Sequence, residues 1–173
     1  MKKILLIVIL IPLFCHSQNS KHKVLGIDLD LDWYTLTNYS QLTYFLADEE
    51  YKDDAYVMID FEYYHPNVNP QFMNIGFTEM LLGFPKGMQT KLDVLQPEIL
   101  LARIYYNDIA TYKLKTDKDI NKVLTLLQQQ FGKADLNTVT DGVYLYKWNG
   151  VYYDAILTSR VDELTTTFVY SKK

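Results

Sequence analysis

Cysteine is almost absent: Cys15 alone occurs in 173 residues, within a leader-like amino terminus. A chain that sheds this segment has no thiol, which excludes a disulfide framework, a thiolate nucleophile and a zinc-thiolate centre. Arginine occurs only at Arg103 and Arg160, the lysines are scattered, and the formal net charge is −4. Such a surface repels phosphate backbones unless cations are segregated, so no nucleic acid is expected as a partner. Seven glycines and five prolines, without clustering, leave no room for an interdomain linker or a low-complexity tract. No internal repeat is visible. Missing too are the G-x-S-x-G elbow, the P-loop, the dinucleotide-binding glycines and H-E-x-x-H, so no catalytic residue and no cofactor site is identified.

The amino terminus is legible. Lys2 and Lys3 precede an apolar run from Ile4 to Phe14, broken only by Pro12, and Cys15-His16-Ser17 makes an A-x-A-like cleavage site. The run is too short to span a bilayer as a helix. Residues 1–17 therefore read as a cleaved signal peptide, residues 18–23 as a loose leading segment and 24–173 as one domain. The expected location is the periplasm or the extracellular space, with no stable membrane insertion. A lipid anchor on Cys15 is the alternative, against which stand Pro12 three residues before the cysteine and Phe14 immediately before it.

Beyond the leader, Val24 to Asp32 alternates, with Leu25, Ile27, Leu29 and Leu31 opposing Gly26, Asp28, Asp30 and Asp32, as a strand with one wet face does. Asn38 to Ala47 has helical spacing, and Ala55 to Tyr64 alternates as a second strand. From Phe72 to Pro97 only a helical hint at Thr78 to Leu82 and a turn at Pro85-Lys86-Gly87 stand out. Ile99 to Tyr106 and Ile109 to Lys115 read as a hairpin turning at Asn107-Asp108. Thr116 with Asp119 resembles a capping box for a helix over about 117–131, whose Ile120, Val123, Leu124, Leu127 and Phe131 share a face, with Gly132 as its stop. Three strands follow, Val143 to Trp148, Val151 to Ser159 and Leu164 to Tyr170. Asn149-Gly150 as a two-residue turn would place Trp148 opposite Val151, Tyr146 opposite Tyr153 and Tyr144 opposite Ala155. The fold class is α+β: a mainly antiparallel sheet of two amino-terminal strands, a hairpin and a carboxy-terminal meander, with the long helix and one or two short ones on one face.

The candidate metal ligands are Asp28, Asp30 and Asp32, because alternation would aim three carboxylates from one face, as a hard cation requires. The EF-hand pattern fails, since Trp33 and Tyr39 replace the glycine and the bidentate glutamate. The Asp28-x-Asp30 pair resembles the first-strand motif of haloacid-dehalogenase-type phosphotransferases, but Asp32 stands where that family has Thr or Val, and the doubly wound repeats it needs are missing. A solvent-facing acidic stripe explains the three aspartates without a ligand. His22 and His65 have no nucleophile signature nearby.

The fifteen tyrosines are the other signal. A rigid ring with a hydroxyl suits sugar and protein recognition, which makes Tyr152, Tyr64 and Tyr106 candidate ligand contacts. Ordinary β-forming residues in a sheet give the same composition. The expected function is a non-enzymatic exported binding domain for an unknown exported protein or glycan, or in a narrower form an inhibitor or immunity-like protein. A small extracytoplasmic hydrolase using a carboxylate pair is the alternative.

Overall fold

A computed structural model describes residues 21–39, 42–46, 55–63, 76–86, 94–140 and 142–173. Residues 1–17 with Cys15, read above as a leader, residues 18–20, Tyr64 and His65 lie outside the described residues.

The architecture is α+β and the large sheet is antiparallel throughout. A small hairpin, β1 (Lys23–Val24) and β2 (Ile27–Asp28), is followed by α1 (Trp33–Tyr39). Strands β3 (Leu42–Leu46), β4 (Tyr56–Tyr63), β5 (Glu79–Pro85) and β6 (Ile99–Tyr105) come next, then α2 (Ile109–Phe131). The chain ends with β7 (Leu136–Thr140), β8 (Val143–Asn149), β9 (Tyr153–Arg160) and β10 (Thr165–Lys172). The strands lie in the order β3-β4-β5-β6-β10-β9-β8-β7. Two four-strand meanders, each led by a helix, therefore join along β6 and β10, and exchanging one meander for the other maps the order onto itself. The repeat lives in the topology, since the two leading helices differ in length and the sequences show no period.

Both helices cover the same face. Cross-strand register lines up Met80, Ala102, Phe168, Leu157 and Tyr146 in one inner row, and Leu82, Leu100, Tyr170, Ala155 and Trp148 in the next. All ten are buried. Against them α2 lays Tyr112, Thr116, Ile120, Val123 and Leu127, a stripe at helical spacing. Helix α1 adds Trp33, whose ring meets that of Phe84 edge-on at 5.5 Å.

Five expectations are corrected. Residues 24–32 are not one strand: Leu25 (φ 51°) and Gly26 (φ 91°) turn the chain so that Val24 pairs with Ile27, and Val24, Leu25, Ile27 and Leu29 are all buried. A glycine in the turn makes a tight hairpin out of a pattern that reads as a continuous alternation.

The early helix ends at Tyr39 instead of starting at Asn38, because Asp32 is its cap, with Oδ1 accepting from Thr35 N at 2.7 Å, and Leu42–Leu46 pairs with β4.

Glu79–Pro85 is a strand where a helical hint was read. Met80, Leu82 and Phe84 face the helices, while Leu81 is fully buried yet stands outside the main core cluster, on the opposite face. A strand buried on both sides shows no alternation.

Ile109 to Lys115 is the start of α2, not a hairpin strand. Asp108 caps it, its carboxylate accepting from Thr111 N at 2.7 Å, and Thr116 lies mid-helix with Oγ1 donating to Tyr112 O at 2.5 Å. Gly132, at φ 79°, ends the helix as expected.

The carboxy-terminal meander is present, preceded by the unforeseen β7, but its register is shifted. Trp148 pairs with Ala155, Tyr146 with Leu157 and Tyr144 with Ser159, so residues 150–152 form the connection. The shift is even, which keeps Tyr146 and Trp148 facing the core.

Candidate functional site

Chemistry first suggests the interior, where a serine and two tyrosine hydroxyls meet. Ser159 Oγ lies 2.9 Å from the Tyr112 hydroxyl and 2.8 Å from Thr166 Oγ1, and it donates to Thr165 O at 3.0 Å. Tyr112 also reaches Gly142 O at 3.2 Å, and Tyr106 reaches Thr166 at 3.1 Å and Asp119 Oδ2 at 3.5 Å. Ser159 and Tyr112 are buried between α2 and the sheet, and no imidazole faces the serine among the described residues. Among the described residues no buried side-chain nitrogen or oxygen lacks a hydrogen bond, so the network fixes α2 onto β9 and β10.

The face of the sheet opposite the two helices is different. Register sets Leu81, Leu101, Val169, Ile156, Lys147 and Leu136 in one row across it. The neighbouring row runs Glu79, Arg103, Thr167, Thr158, Leu145, and the next Tyr105, Thr165, Arg160, Val143. A depression of about 420 Å³ opens over these polar rows, lined by Arg103, Tyr105, Thr158, Arg160, Glu163 and Thr167 among others. Both arginines of the chain therefore line one hollow.

Around the end of β6 a second cleft, of about 390 Å³, runs between that strand and α2. Its walls include Thr78, Tyr105, Tyr106, Asn107 and Thr111, and from α2 come Lys115, Lys118, Asp119 and Lys122. Tyr105 lines both hollows. Its hydroxyl donates to Glu79 Oε2 at 3.1 Å and accepts from Arg103 Nη1 at 3.2 Å, and Arg103 in turn pairs with Glu79 at 3.2 Å. Its backbone N–H donates to Thr78 Oγ1 at 3.0 Å. The ring is thus held at its tip and its base while remaining 43% exposed.

The aspartates read as candidate metal ligands have separate engagements. Asp28 Oδ1 accepts from Asp30 N at 3.0 Å, Asp30 pairs with Lys172 at 3.3 Å, and Asp32 caps α1. Among the described residues no three His, Cys, Asp or Glu are grouped to hold a metal ion. Of the tyrosines, Tyr106 stands in the cleft wall but is only 6% exposed, and burial pushes its hydroxyl above the usual phenol range. Tyr152 is exposed, with Lys21 Nζ 4.6 Å from its ring centre, at the other end of β9 from Tyr105. That separation is about 23 Å at ~3.3 Å per strand residue. The structure does not bring Tyr106 and Tyr152 together.

Sequence reasoning missed Tyr105, Lys115, Lys118 and Lys122. The signal was there, since three lysines at spacings of three and four share a helix face. It was hidden by reading residues 109–115 as a strand.

Several phenols are raised: Tyr170 and Tyr153 by burial, and Tyr144 to about 12 by its 2.5 Å hydrogen bond to the Asp117 carboxylate. A group whose folded pKa is raised holds its proton longer than the unfolded chain does. Its stabilisation is complete below the unfolded phenol value of about 10 and is lost as pH climbs through the raised values. Absorbance titration at alkaline pH should therefore show a tyrosine class that ionises only as circular dichroism reports unfolding. A single class ionising near pH 10 with the fold intact would refute these assignments.

Among the described residues no helix is long and apolar enough to cross a membrane. No protein-family model matches the chain, and neither a curated protein nor a solved structure is significantly similar to it, so its site is read from its own geometry.

Proposed function

We propose that the chain is an exported, non-enzymatic binding domain that captures its ligand at the corner where the two hollows meet. The observation that carries this reading is Tyr105, an aromatic residue anchored through Arg103, Glu79 and Thr78, 43% exposed and lining both hollows. An immobilised ring loses little freedom on binding, which converts contact into affinity. Each hollow has a single carboxylate among its described lining residues, Asp119 in the cleft and Glu163 in the depression. No observation therefore favours the carboxylate-pair hydrolase. Export is supported by the leader pattern of residues 1–17.

The test is capture of a defined glycan panel and of secreted proteins on the immobilised protein. Tyr105→Ala should weaken capture about 30-fold, the ~2 kcal/mol of an aromatic hot spot, whereas Tyr152→Ala should leave it unchanged. Undiminished capture by Tyr105→Ala would overturn the site. Amino-terminal sequencing of protein recovered outside the cytoplasm should begin at Gln18; recovery only from the cytosol with Met1 retained would overturn export.

A further inference from the structure

Resting on the binding reading of this corner, we infer that the cleft between β6 and α2 takes an acidic oligosaccharide, its charges held by Lys115, Lys118 and Lys122 and a sugar face laid on Tyr105. The chain carries more acids than bases, yet among the described residues this cleft gathers three lysines against one carboxylate. That carboxylate is already engaged, since Asp119 lies 3.5 Å from the Tyr106 hydroxyl and 3.9 Å from Lys122 Nζ. Among the described residues Lys115 and Lys118 have no ion-pair partner, although Asp117 sits between them in sequence. Asp117 is turned away to the Tyr144 hydroxyl. Like charges three and four residues apart on a helix repel, so their grouping opposes helix stability unless an anion lies over them.

The spacing indicates the kind of anion. Lys115, Lys118 and Lys122 extend over about 10 Å of the axis at ~1.5 Å per residue, a row longer than one small oxyanion. They suit negative charges distributed along an oligomer. Lysine is a flexible point charge without the planar fork that reads a phosphate or carboxylate bidentately, which fits carboxylates at several positions along a sugar chain. The cleft volume of about 390 Å³ falls within the range of sites that enclose a small organic ligand. Asn107, Thr78 and Thr111 add side chains able to hydrogen-bond hydroxyls along the same walls. A nucleic-acid strand would demand more cations than the cleft provides, set in a chain whose net charge opposes it.

The full chain should be titrated calorimetrically with a galacturonic acid trimer, with the neutral galactose trimer and with an oligonucleotide. The acidic trimer should bind saturably and more weakly as salt rises. Lys115→Gln with Lys118→Gln should lower its affinity about ten-fold and flatten the salt dependence, with no fall in melting temperature. Lys115→Arg with Lys118→Arg, which keeps the charge, should retain binding. Equal affinity for the acidic and neutral trimers, or an unchanged affinity in the glutamine variant, would overturn the acidic-sugar assignment while leaving Tyr105 as a binding site. Tighter binding of the oligonucleotide, or no binding of either trimer, would overturn it as well. Loss of Tyr105→Ala sensitivity with the lysine effect intact would instead remove the corner reading beneath it.

Discussion

Trp148→Ala should destabilise the protein by about 4 kcal/mol, the largest effect of any single truncation considered. The indole is 2% exposed in the inner row formed with Ala155, Tyr170, Leu100 and Leu82. It also ties the sheet to the end of α2, because Nε1 donates to Gly132 O at 2.9 Å and the ring lies 6.3 Å from that of Phe131. Truncation leaves a cavity and strips a partner from a helix-terminal carbonyl, so two costs add. Trp148→Phe separates them. It keeps an aromatic in the core and should lose only about 1–2 kcal/mol, the scale of the missing hydrogen bond plus a smaller packing defect. Urea denaturation measures both. A loss below about 1 kcal/mol for alanine would show that the indole is not the clasp between helix and sheet.

Gly150→Ala should cost about 2 kcal/mol through overpacking. A Cβ placed on Gly150 would lie 2.2 Å from Cε1 and 2.5 Å from Cδ1 of the Tyr153 ring. The ring cannot retreat easily, since it packs against Phe131 at 4.8 Å and Tyr170 at 5.3 Å. Nor is the connection free to shift, because the chain terminus is bound to it: Lys173 N donates to Tyr152 O at 3.0 Å and Lys173 Nζ to Gly150 O at 3.0 Å. In a Tyr153→Ala background the penalty should fall below about 0.5 kcal/mol, and the double-mutant cycle gives the coupling directly. A penalty that survives removal of the ring would place its origin in the backbone and contradict the steric account.

The same connection shows where sequence reasoning reached its limit. Asn149-Gly150 is a strong signal for a two-residue turn, and that turn needs a positive φ at both residues. Neither residue adopts one. Asn149 is instead a strand residue opposite Asp154, its N–H donating to Asp135 Oδ2 at 2.6 Å, and the ring of Tyr153 occupies the space beside the glycine. Long-range packing overrode a local preference. What survived was parity: alternation fixed which side chains of β8 and β9 face inward, and a shift of register by an even number does not change it.

Helix α2 was legible from Ile120 onward because Ile120, Val123 and Leu127 bury at helical spacing. Its first turns were not. Ile109 is an exposed β-former, Leu114 is exposed away from the apolar stripe, and Asp108, which caps the helix, looks like the corner of a hairpin in a run of Tyr, Asn and Asp. That error had a functional consequence, since a strand ending at Lys115 disperses the lysines that a helix from Ile109 assembles. Strand β5 failed for the opposite reason, being apolar on both faces. The doubled meander was beyond sequence reading altogether, because topology, not residue identity, is what repeats. For the tyrosines, composition says that rings are plentiful, and the Arg103–Glu79 clasp is what distinguishes Tyr105.

Amide chemical-shift mapping of the full chain with saturating galacturonic acid trimer tests the binding corner most directly. Perturbations should gather at residues 105–107 and along one side of α2 from Thr111 to Lys122. Shifts centred on residues 149–153, or none at either place, would contradict it.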